Sequence, residues 1–259
     1  MPAIRATLLS RGAVLDLAQD HPLARAASEA IRSGDVESLK NLIKDNPGLA
    51  TGTIRGAPNS CDTIPRTLLH VATDWPGNFP NGAATIAALI EAGAGVNARI
   101  TGPHPETPLH WAASCDDVEV LDALLDRGAD MEAPGAVIGG GTPLADAVAF
   151  GQWRAARRLV ERGALTGLWQ AAALGLMDRV KDHFNGKPSP APSEVTKAFR
   201  CACHGGQRGA AEYLLSHGAD MDWVGYDGLT PVEAARRSDA REVADWLRGL
   251  GAKTAVELR

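Results

Sequence analysis

The segment "TPLHWAASCDDVEVLDALLDRGADMEA", Thr107 to Ala133, decides the fold. Thr107 can cap a helix and Pro108 suits its first turn. The small pair Ala112 and Ala113 lets a second helix approach closely. Val120, Leu121, Leu124 and Leu125 follow helical spacing and face inward. Gly128 then ends the second helix. The stretch predicts a helix, a tight turn, a second helix and a polar hairpin.

With Thr107 as position 1, the same frame recurs along the chain. It fits "TPLADAVAFGQWRAARRLVERGA" from Thr142, "KAFRCACHGGQRGAAEYLLSHGADMD" from Lys197 and "TPVEAARRSDAREVADWLRGLGA" from Thr230. Thr67 starts a copy that needs five extra residues before Leu89 and Gly93 fall into frame. Two degenerate copies, "RAASEAIRSGDVESLKNLIKDNP" and "TGLWQAAALGLMDRVKDHFN", complete the set. Unit starts fall near 25, 67, 107, 142, 166, 197 and 230, a period of about 33 residues.

This pattern resembles the ankyrin repeat, of the kind found in bacterial ankyrin-repeat proteins. The resemblance implies an all-α solenoid of about seven helix-turn-helix units with finger loops, each unit contacting only its neighbours. The expected organisation is an N-terminal cap segment over 1–24, a repeat domain over 25–252 and a C-terminal tail over 253–259. In the family, partner contacts concentrate on finger tips and on repeat positions 8 and 9, which face the concave side. Those helix positions hold Asp74 and Trp75, Ser114 and Cys115, Ala149 and Phe150, and further pairs towards the C-terminus. Trp75, Cys115 and Phe150 thus form one expected row, with Trp111 and Trp153 close in sequence. The family's position-4 histidine, here His70 and His110, bonds backbone and loop groups within and between repeats. Asp146 stands at position 5, where the family usually has an apolar residue.

Departures from the repeat mark what is particular to this chain. Additions such as "GLATGTIRGAPNSCDTIPR" lie in finger positions, and a proline-rich loop, "NGKPSPAPSE", replaces the finger between the fifth and sixth units. The exception is "DWPGNFPNG", Asp74 to Gly82, which lies at the turn between paired helices. Asp74 and Trp75 are positions 8 and 9, and Asn81 is where position 10 resumes. A built-out rim is expected there, with Trp75 at its base and Phe79 near its tip.

Composition narrows the function classes. The chain has 259 residues, 45% hydrophobic, and a net charge of −5, which disfavours a nucleic-acid partner. Four cysteines in such a length are no disulfide framework, and no 18-residue apolar run predicts a membrane span. Arg11 and Asp16 interrupt the apolar run a signal peptide needs, so a cytoplasmic location is expected. "CACH", Cys201 to His204, does not predict a metal site: Cys201 and Cys203 point to different helix faces, and no second pair has zinc spacing. No cofactor motif occurs.

The resulting expectation is a non-catalytic module that binds a protein partner through its concave face. Asp74, Trp75, Phe79, Trp111, Cys115, Asp146, Phe150, Trp153, Trp223 and Tyr226 are its candidate contacts. Trp223 and Tyr226 belong to the finger "DWVGYDG", and Asp74 and Asp146 are polar selectors. A second reading places a small-molecule pocket or an enzyme around the 74–82 insertion, with Asp146 and His110 as its polar groups. A third is a bacterial toxin-neutralising partner.

Overall fold

The computed structural model describes residues 15–56 and 64–259. Arg11, Cys61, most of the 1–24 cap segment and the middle of the addition before Thr67 lie outside the described residues. Fourteen helices form seven sequential pairs among those described. The first members are α1 (Pro22–Ser33), α3 (Leu68–Ala72), α5 (Pro108–Ser114), α7 (Pro143–Ala149), α9 (Leu168–Ala173), α11 (Pro192–His204) and α13 (Pro231–Arg237). Their partners are α2 (Val36–Asp45), α4 (Gly82–Glu91), α6 (Val118–Leu125), α8 (Trp153–Glu161), α10 (Met177–Asn185), α12 (Arg208–Ser216) and α14 (Arg241–Gly249).

The chain divides into two compact units, Met1–Pro143 and Leu144–Arg259. In the first, α1, α3 and α5 pack in succession, and α2, α4 and α6 form a second layer behind them. In the second, α9, α11 and α13 make the corresponding row, with α10 and α12 behind and α14 against α13. Small residues allow this spacing. Ala112 and Ala113 in the first unit, and Ala171, Ala172, Ala202 and Cys203 in the second, are fully buried. Phe199 is the large centre of the second core.

Backbone geometry repeats as strictly as the sequence. The position-10 residue is left-handed in all seven pairs: Gly34, Asn81, Asp116, Gly151, Gly175, Gly206 and Asp239 have φ between 53° and 72°. Gly, Asn and Asp are the residues that tolerate this region at least cost. Asn81 therefore does resume position 10, and the extra residues precede it. The helix-ending glycines Gly93, Gly128, Gly163, Gly218 and Gly251 share φ between 86° and 106°.

Two buried histidines in the first unit bond to the chain that follows their own helix pairs. His70 places Nδ1 2.9 Å from Thr67 Oγ1 and Nε2 3.2 Å from the Glu106 carbonyl. His110 accepts the Thr107 N–H at Nδ1 and approaches the Gly141 carbonyl through Nε2 at 3.4 Å. A ring nitrogen facing a carbonyl must carry the proton, so Nε2 donates in both. Burial depresses both imidazoles from 6.5 to about 4. They are neutral, structural groups at pH 7.

One small sheet supplements the helices. β1 (Asp16–Ala18) runs parallel to β2 (Thr53–Arg55), which pairs antiparallel with β3 (Arg66–Thr67). It ties the segment before α1 to the strand leading into α3. At the other end, Arg248 holds Glu257 at 2.7 and 3.0 Å, and that hydrogen-bonded pairing pulls the Glu257 carboxyl down to about 2.

A depressed histidine stabilises the fold above its unfolded pKa and loses that contribution as pH falls through its folded pKa. For His70 and His110 the window runs from pH 6.5 down to about 4. The urea midpoint of the full chain is expected to be flat between about pH 7 and 8 and to fall below 6.5, each histidine contributing on the order of 2–3 kcal/mol by pH 4. The variant His70→Gln with His110→Gln starts less stable and shows a shallower fall over that window. An unchanged slope would remove these residues as the cause.

Candidate functional site

The turn between α3 and α4 is where this chain departs most from its own repeat. Thr73 ends α3, its hydroxyl donating to the Leu69 and His70 carbonyls at 3.1 and 3.2 Å. Asp74 comes next. Its Oδ2 lies 2.9 Å from Arg66 Nη1 and 4.0 Å from Arg32 Nη2, and its Oδ1 accepts the Trp75 N–H at 2.9 Å. The chain then crosses towards the next pair. Gly77 has φ +72° and packs so closely that a Cβ there would sit 2.6 Å from Cys115 Cβ. Asn78 donates its N–H to Asp117 Oδ2 at 2.7 Å and its side-chain amide to the Cys115 carbonyl at 3.3 Å. Returning, Pro80 covers Gly34, where a Cβ would meet its carbonyl oxygen at 2.3 Å, and Asn81 donates to the Gly34 carbonyl at 2.9 Å.

The added residues therefore span three consecutive turns, anchored backwards on Gly34 and forwards on Cys115 and Asp117. On this anchored base Trp75 is 80% exposed, and Phe79 is half-buried. Cys115 serves the anchor itself: its thiol lies 3.6 Å from the Thr73 carbonyl, and burial followed by the nearby Asp74 and Asp117 carboxylates pushes it up to about 12. It is a packing group, not a reactive thiol.

The remaining candidates separate by burial. Trp111 is half-buried, donating Nε1–H to Glu106 Oε2 at 3.1 Å and setting its ring edge-on to His70 at 5.1 Å. Trp153, in the second unit, is likewise half-buried, 5.1 Å from the His204 ring. Both are engaged inside the fold to a degree the sequence frame did not reveal. Phe150 remains 49% exposed. Asp146 must be corrected: it has no exposed surface, in a helix where Leu144, Ala145 and Ala147 are buried as well. It cannot act as a surface selector.

The finger between α12 and α13 carries a second exposed group. Tyr226 is 93% exposed, its ring 5.9 Å from half-buried Trp223 and 6.0 Å from the Lys197 ammonium. Asp227 fixes the finger onto α11 and α13. Arg200 contacts both its oxygens at 2.6 Å, and Arg237 lies 2.8 Å away. Burial alone would raise this carboxyl; the two guanidiniums outweigh it and hold it low. Sequence reasoning missed Lys197, Arg200 and Asp227 here, and placed Arg237 at repeat position 8 without giving it a role. It also missed Arg32 and Arg66 beside Asp74, which converge from separate segments.

Two clefts of about 510 and 650 Å³ flank Pro188 in the second unit, lined among others by Trp169, His183, Lys187 and Lys197. None of the ten residues singled out from the sequence lines either cleft. Among the described residues, no helix is long and apolar enough to cross a membrane.

Gly77→Ala tests the anchor. It adds a methyl against Cys115 in a backbone region that disfavours side chains, and is expected to cost about 2 kcal/mol or more. Gly209→Ala, in α12 with open space around it, is the control and is expected to be neutral or slightly stabilising. Urea midpoints measure both. Equal midpoints would mean that the rim is not packed as described.

Comparison with known proteins follows the same lines. A family model described as ankyrin repeats, in three copies, matches residues 23–135 and 69–167. An ankyrin repeat and KH domain-containing protein of Caenorhabditis briggsae is 28% identical over 238 residues, covering 88% of this chain and 8% of that protein. A putative ankyrin repeat protein of fowlpox virus is 51% identical over 47 residues, which is 18% of this chain and 9% of that protein. This chain thus spans under a tenth of the length of either relative. Among solved structures, the ankyrin repeat domain of human ASB11 aligns with a TM-score of 0.48 at 20% identity, covering 85% of this chain and 96% of that one.

Proposed function

The chain belongs to the ankyrin-repeat family, and from that premise we propose that it is a non-catalytic recognition module whose partner is a protein. Ankyrin repeats are in general protein-interaction modules, although a fold alone does not fix a function. The observation that carries the reading here is Trp75. A large aromatic ring stands 80% exposed on a turn anchored at both ends. Folding gains almost nothing from a ring in that position. An interface gains much from it, because a rigid aromatic anchor loses little entropy on binding. Tyr226, 93% exposed on a finger fixed by Asp227, has the same character in the second unit. Phe79, Phe150 and Trp223 are further exposed or half-exposed aromatics.

The histidines support the non-catalytic part of the reading. His70 and His110 have both ring nitrogens engaged and are neutral and buried. Neither is placed to move a proton for a substrate.

Trp75→Ala separates recognition from stability. The melting temperature is expected to stay within about 1–2 °C, since exposed substitutions change stability by less than about 0.5 kcal/mol. At least one protein retained from a native-host extract by the wild-type chain is expected to be lost or weakened about tenfold with the variant. Identical sets and amounts captured by both chains would refute Trp75 as an anchor.

A further inference from the structure

Next to the Trp75 turn, the first unit carries a pocket of about 180 Å³. Arg25 and Arg32 line it from α1, and Arg66 from β3. Ile54 and Val71, each 4% exposed, supply its apolar wall, and Glu29 is its one acid. Arg25 is exposed and makes no ion pair among the described residues. Asp74 connects pocket and rim: one carboxylate oxygen faces Arg66 and Arg32, and the other holds the Trp75 N–H.

We propose that this pocket receives a single Asp or Glu side chain from an acidic segment of the partner protein, with a neighbouring apolar residue of that segment seated on Trp75. The proposal rests on the recognition reading above and names the partner's chemistry. Three features select this occupant. Size is the first: at about 180 Å³ the pocket suits a single side chain better than a whole small molecule. Small-molecule sites run from about 300 to 1,000 Å³. Charge is the second. Arg25, Arg32 and Arg66 line the pocket with Glu29 as the one acid among its lining residues, which favours an anion although the chain's total is −5. The third is donor geometry. Guanidinium groups present paired N–H donors suited to carboxylates, with Ile54 and Val71 as an apolar wall beside them.

The test is selection of a random dodecapeptide display library on the full chain. Enriched peptides are expected to place Asp or Glu within a few residues of an aromatic, leucine or proline. The best synthetic peptide is expected to lose about tenfold in affinity with Arg25→Glu, the scale of a disrupted charged contact, and at least as much with Trp75→Ala. Its affinity also falls as salt rises. Arg25→Glu breaks no ion pair, so its melting curve is expected to overlay the wild type, and Arg25→Ala gives a smaller loss in the same direction. Peptides that depend on Trp75 but show no acidic bias and ignore Arg25→Glu would overturn the pocket assignment while leaving the recognition reading intact. Peptides indifferent to both variants, or no enrichment at all, would overturn both.

Discussion

The first unit depends on a buried N–H to carbonyl contact made by a histidine ring. In His70 and His110 the ring's far nitrogen reaches the carbonyl of the residue just before the next pair begins, at Glu106 and Gly141. That contact sets where the following helix starts, and so sets the spacing of every turn and finger carried on it. Its strength is conditional. It requires a neutral imidazole with the proton on one nitrogen, and burial enforces this by disfavouring the cation. The threonine at position 1 fixes the other nitrogen as acceptor. Two side chains three residues apart thus determine a tautomer, a helix start and a register.

Against this regular framework, the placement of the added residues between α3 and α4 has a physical logic. A finger can grow outward without disturbing its neighbours. The turn inside a pair cannot, because the left-handed residue at position 10 sets how the second helix departs. Here Asn81 keeps that conformation, so α4 leaves as any other second helix does. The extra chain is absorbed before it and folded sideways onto the adjacent turns. Gly77 against Cys115 and Pro80 against Gly34 are the close approaches that make this possible.

The helix pairs, their stops and the identity of Asn81 as the resumed position were legible in the sequence, because each is enforced locally by residue type within a repeating frame. The three-stranded sheet was not. Its strands are two or three residues long, and two of them lie outside the repeat pattern or in an addition to it. The exposure of Trp75 and Tyr226 followed from their frame positions, whereas the engagement of Trp111 with Glu106 and His70 required knowing what lies across the gap. Asp146 shows the opposite error. Its frame position already said that it faces inward, and its charge drew it outward in the reading. The arginines near Asp74 were illegible for a plain reason: α1 and β3 are far apart in the chain, and nothing periodic links them.

Asp117 carries a consequence for motion. One of its oxygens accepts the Val120 N–H at the start of α6, and the other accepts the Asn78 N–H of the added turn. Asn78 and the first turn of α6 therefore share a single carboxylate as a hinge pin. Fraying of α6 withdraws the pin from the rim, and displacement of the rim exposes an uncapped helix end. The two are held on one carboxylate, so the position of the rim that bears Trp75 depends on a helix in the next repeat as well as on its own loop.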